Sequence, residues 1–184
     1  MSAKMSLVAA ALAALTGAAV AAPVNLSYTA SGSPVQSFLA DTVQLVGQAG
    51  NLALDSAAAT SHAVNTLALV VGDSGQASDS TSIALSFDLT VGGVTHTLTQ
   101  AANWTITPTV DTLQVLASAS PVLFDTGSGR WAVSLGSFSI SPTALGTWRS
   151  TVTASFQPVP EPGSLALAGL ALAGLGLARR RRAD

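Results

Sequence analysis

The sequence predicts an all-β protein, most simply an antiparallel β-sandwich, and three observations carry that reading. Apolar residues between positions 22 and 157 recur at every second place rather than with a helical period of 3.6. Clusters of Gly, Asp, Ser and Pro punctuate these runs at short intervals, as turns between strands do. Amphipathic helical patterning is missing from the same region, apart from a short helical turn expected within residues 55–61. A jelly roll or an open barrel uses the same strand count, so the sheet topology stays open at this point.

Each strand has its own warrant. Asn25-Leu26-Ser27-Tyr28-Thr29 and Val35-Gln36-Ser37-Phe38-Leu39 alternate, with a less regular stretch on to Val46. The run V-N-T-L-A-L-V-V over residues 64–71 is more continuously apolar and reads as a central strand covered on both faces, ended by Gly72-Asp73-Ser74-Gly75. The clearest local signal follows. Ile83, Leu85, Phe87, Leu89 and Val91 alternate with small or polar residues, and Gly92-Gly93 supplies the positive φ values of a two-residue hairpin turn. Counting outward from that turn sets Val91 opposite Val94 and Leu89 opposite His96, which places His96 on or beside the apolar face. The strand resumes at Trp104-Thr105-Ile106-Thr107. Residues 113–116 are a short strand, and 122–124 and 131–135 form a second hairpin around Asp125-Thr126-Gly127-Ser128-Gly129. Phe138 and Ile140 continue the alternation, and W-R-S-T-V-T-A-S-F over 148–156 gives a last strand. The total is eight to ten.

The chain ends divide from this domain by composition. Residues 1–21 have the parts of a secretory signal peptide: Lys4, an apolar core over 7–20, and the small-x-small site Ala19-Val20-Ala21, with cleavage expected after Ala21. Export through the Sec translocon follows from it. Residues 22–157 form one ectodomain, near the commonest domain length of about 100 to 150 residues. Residues 158–184 form a tail, whose prolines break the strand pattern.

Charge and cysteine usage narrow the function classes. The whole chain is close to neutral at −2, but its lysine and four of its six arginines lie in the end segments. The ectodomain keeps Asp41, Asp55, Asp73, Asp79, Asp88, Asp111 and Asp125 against Arg130 and Arg149, a formal net of −5. A lysine-free acidic surface does not fit a phosphate backbone, so nucleic acid is excluded as a partner. With no cysteine, the exported fold rests on packing and strand pairing alone, and a thiol nucleophile is excluded.

Residues that could carry chemistry are few. His62 and His96 stand 34 positions apart with no second imidazole at metal-ligand spacing, which argues against a transition-metal site. The ectodomain has no glutamate and no G-x-S-x-G turn, so neither a glycosidase carboxylate pair nor a nucleophile elbow is legible, and the expectation is a protein without enzyme activity. The loop over 72–81 offers Asp73, Asp79 and several hydroxyls as hard oxygen ligands, a candidate calcium site although the D-x-[DN]-x-[DN]-G pattern is missing; no other cofactor is expected. Trp104, Trp131 and Trp148 read as core, with Trp148 and Arg149 the pair expected at the surface and the candidate glycan contact.

The tail carries the most specific signal. Pro160, Glu161 and Pro162 hold the chain extended, since both prolines fix φ and lack an N–H. An apolar run over 165–178 follows, rich in Ala and Leu, with Ser164 as its N-cap. From Ser164 to Ala178 it counts 15 residues, short of the roughly 20 of a stable membrane span. Arg179, Arg180, Arg181 and Arg182 then form a cluster that snorkels and stays cytoplasmic, placing the ectodomain across the membrane. These residues closely resemble the PEP-CTERM sorting tail of Gram-negative bacteria, with its Pro-Glu-Pro box, short hydrophobic helix and basic terminus.

The resemblance implies recognition by exosortase, a membrane transpeptidase-like cysteine protease acting near the box. It implies an inner-membrane-anchored intermediate, then delivery to the cell surface or extracellular matrix of a cell making exopolysaccharide or biofilm. The expected function is an exported, non-enzymatic surface or matrix protein associated with exopolysaccharide. Two alternatives stand beside it: a carbohydrate-active enzyme or calcium-dependent glycan-binding module, and a self-associating structural subunit whose edge strands pair.

Overall fold

The computed structural model describes residues 23–73, 78–160 and 169–172. Among the described residues there are twelve strands: β1 (Val24–Ala30), β2 (Gln36–Phe38), β3 (Asp41–Val46), β4 (Gln48–Leu54), β5 (Thr60–Val71), β6 (Asp79–Val91), β7 (Val94–Ile106), β8 (Thr112–Val115), β9 (Val122–Asp125), β10 (Arg130–Leu135), β11 (Phe138–Ile140) and β12 (Gly146–Pro158). They form two six-stranded antiparallel sheets, ordered β11-β8-β7-β6-β1-β4 and β2-β3-β5-β12-β10-β9. The all-β sandwich expected from the alternation is what the chain builds.

The alternation also fixes which side chains meet. Leu85, Phe87, Leu89 and Val91 of β6 point inward with Leu98, Ala102, Trp104 and Ile106 of β7, while Leu67, Leu69, Val152, Ala154, Phe156 and Val133 face them from the other sheet. Each fully buried Val or Leu contributes about 1.5–3 kcal/mol, and with no disulfide this packing is the fold's main support. The β6–β7 hairpin has the expected register, with Val91 opposite Val94 and Leu89 opposite His96. Its turn needs glycine, because Gly92 and Gly93 sit at φ of 56° and 85°.

Three expectations are corrected. The run over 64–71 is not covered on both faces: inward Leu67, Leu69 and Val71 alternate with outward Thr66, Ala68 and Val70. It looks continuous because a bulge opposite Val152 and Thr153 leaves Val64 as an extra residue, so Val64 and Asn65 are both buried and the inward phase flips. Residues 55–61 form no helical turn, since Asp55 Oδ1 accepts the Ala57 N–H at 2.8 Å in an Asx turn and the chain enters β5 at Thr60. The strand count exceeds eight to ten, mainly through β4, whose Q-A-G-N-L-A-L hardly alternates before Leu52 and Leu54.

Pairing defines two ends. Val24 pairs with Leu54, Phe156 with Thr60 and Trp131 with Pro158, so the chain enters and leaves the sandwich at the same end. At the opposite end Gly146 pairs with Val71 and Asp79 with Ile106.

Candidate functional site

At the end remote from the chain termini, a cleft of about 310 Å³ opens between the sheets. Val71, Gly72 and Asp73 leaving β5, residues 107–111 between β7 and β8, and residues 142–145 before β12 line it. Its floor is acidic. Asp111 is buried and accepts the Thr107 N–H on Oδ1 at 3.3 Å, which closes the 107–111 loop on itself. Thr107 Oγ1 reinforces that loop by accepting the Val110 N–H at 3.0 Å.

Behind the cleft lies Asp41, fully buried, with Oδ1 accepting the Gly72 N–H at 2.9 Å. Burial is the main reason its pKa stands above the ordinary value; the Gly72 N–H lowers it, the nearby Asp111 charge raises it again, and Trp104 lowers it. The Trp104 indole N–H acts without closing a hydrogen bond, because both Asp41 Oδ2 and Trp104 Nε1 lack a partner. Sequence reasoning counted Asp41 only toward the acidic surface and missed its burial; the signal lay in D-T-V-Q-L-V, where it shares the inward phase of Val43 and Leu45.

The sequence-predicted residues distribute unevenly around this cleft. Asp73 lines it, whereas Asp79 opens β6 and turns Oδ1 to the Ser80 N–H at 2.7 Å. Residues 74–77 of the same loop lie outside the described residues. Among those described, no three Asp, Glu, His or Cys converge to hold a metal ion, and the cleft brings Asp111 to Asp73 in place of Asp79. Trp104 and Trp131 are core. Trp148 is 38% exposed and donates its Nε1–H to Ala144 O at 3.1 Å, which fastens its ring to the segment walling the cleft. Arg149, one residue on, points away from the core. The two histidines are engaged: His62 Nε2 lies 3.1 Å from Ala53 O, and His96 meets Phe124 edge-on at 4.7 Å.

At the other end a groove of about 260 Å³ is lined by Ser56, residues 128–131 and residues 158–160. Strand β12 runs into the start of the tail, and the Val159 N–H donates to Arg130 O at 2.8 Å. Pro160 therefore rests against the sandwich. Glu161, Pro162 and the arginines at 179–182 lie outside the described residues, as do the signal-peptide residues. Residues 169–172 of the apolar run are helical, and no described helix is long and apolar enough to cross a membrane.

An all-β domain followed by a C-terminal sorting tail is the class that fold and tail define. Residues 158–182 match the family model of the PEP-CTERM protein-sorting motif. Neither a curated protein nor a solved structure matches the chain. The chain thus carries the sorting signal of an exported protein handled by exosortase, and the recognition made from Pro160, Glu161, Pro162 and the arginines holds.

Proposed function

We propose that the protein is a non-enzymatic component of the cell surface or extracellular matrix that associates with exopolysaccharide through the end of the sandwich remote from the tail. One observation carries the reading: the chain enters and leaves at one end, so tethering by the tail turns the cleft of Asp73 and Asp111 outward. The cleft's chemistry suits a sugar chain. Carboxylates accept glycan hydroxyls, and exposed Leu145 and Trp148 offer apolar surface beside them. Secretion uses the Sec translocon, and the arginine cluster holds the intermediate in the inner membrane until exosortase acts.

Cosedimentation of the ectodomain with exopolysaccharide purified from the producing strain tests this. The expected result is retention by the wild-type protein and its loss in Trp148→Ala and in Asp111→Asn. Equal sedimentation with and without the polysaccharide would remove the proposal. Catalysis is excluded in the same tubes if the polysaccharide's chain length stays constant.

A further inference from the structure

The sorting box of this chain does not hang from a linker. Its first proline follows directly on Val159, whose N–H is held by Arg130 O at 2.8 Å, and Pro158 lies opposite Trp131 in the β10–β12 pairing. The partner side of this contact is firm. Trp131 is buried, and the turn before it is closed by the Thr126 N–H donating to Gly129 O at 3.1 Å. Gly129 sits so close over the Trp131 ring that a Cβ there would come within 2.7 Å of it.

Chain length makes this contact consequential. Six Cα steps lead from Val159 to Leu165, where the apolar run begins, a reach of roughly 20 Å even when fully extended. A domain of this length has a radius of gyration of roughly 14 Å, so its diameter exceeds the tether. A membrane protease that binds its substrate as an extended strand needs free backbone on both sides of the scissile bond. Here the upstream backbone is already committed to β10.

We propose that the end of β12 is a clamp on the sorting signal, and that exosortase processing of this chain includes its release: the Val159–Arg130 hydrogen bond opens and residues 158–160 leave the groove before the box is cut. Arg130 and Trp131 are positioning residues for the box. The inference rests on the sorting reading above and adds to it a rate controlled by the ectodomain.

Pulse-chase measurement of tail loss in an exosortase-positive cell tests it with three chains: wild type, Val159→Pro, and a chain with four Gly-Ser residues inserted between Val159 and Pro160. Val159→Pro keeps the extended backbone and deletes the N–H; the insertion lengthens the tether outside the sandwich and leaves the domain intact. Both variants are expected to lose the tail about two- to tenfold faster, the range that one strand-end hydrogen bond controls. Equal or slower loss in the insertion chain would overturn the clamp. Tail retention by all three chains would instead overturn the sorting reading. The clamp is then judged by hydrogen exchange of the full chain in detergent, where the Val159 amide is expected to exchange at least about tenfold more slowly than a free amide. Exchange at the free rate would overturn it.

Discussion

Asp41 and Gly72 join the start of β3 to the end of β5 through a 2.9 Å hydrogen bond whose carboxyl side is fully buried. The carboxyl gives one oxygen to that bond and leaves the other, Oδ2, without a partner. A buried carboxylate so placed stays charged only at a cost, and the same residue supports the wall of the cleft.

The pH dependence follows from the direction of its shift. Burial raises the folded pKa of Asp41 above 3.8, so the folded state holds the proton more tightly than the unfolded chain does. Its contribution to stability is therefore complete below about pH 4 and is lost as pH rises through the folded value. Thermal unfolding at several pH values is expected to show Asp41→Asn removing the decline in stability as pH rises above about 4, with little loss at neutral pH. Asp41→Ala, which strands the Gly72 N–H, is expected to cost about 1–3 kcal/mol.

Gly72 is fixed by space rather than by conformation. A Cβ there would stand 2.3 Å from Ala40 O, a backbone atom that cannot swing aside. Gly72→Ala is expected to destabilise the sandwich by about 2 kcal/mol or more in a urea titration and to open the Asp41 contact.

Gln100 ties together the segments that follow β8 and β10. Buried in β7, it donates through Nε2 to Leu116 O at 3.0 Å and to Gly136 O at 2.9 Å, linking the ends of β8 and β10. Gln100→Leu keeps the volume and removes both bonds. A loss of about 1–3 kcal/mol is expected, with faster amide exchange near residues 116 and 136.

Trp104 tests the core. It is fully buried and packs against Phe38 with ring centroids 5.8 Å apart, across the two sheets. Trp104→Ala is expected to lower stability by about 3–5 kcal/mol in denaturant unfolding, enough to threaten a domain without disulfides.

Much of this architecture was legible because a period of two is hard to disguise. The β6–β7 hairpin carries five alternating apolar residues and a Gly-Gly turn, and its register came out residue for residue. What escaped depended on contacts distant in sequence. Strand β4 forms because all seven of its residues pair with β1, although Gly50 and Asn51 favour turns locally. The bulge at Val64 disguised β5 and leaves Asn65 buried, where it donates its Nδ2–H to Ser31 O at 3.0 Å on the opposite layer. For the cleft, Asp73 and Trp148 were legible as candidates, one by its loop and the other by its place at a strand end. Asp111 was not, because only the fold brings the 107–111 loop over Gly72.

The central claim, that this is an exported protein sorted by its tail, is tested most directly by intact mass with cell fractionation in an exosortase-positive strain and in one lacking the enzyme. The account predicts mature protein in the surface or extracellular fraction, its tail lost beyond Pro160, Glu161 and Pro162 only when exosortase is present. An identical, full-length tail in the membrane fraction of both strains would contradict it.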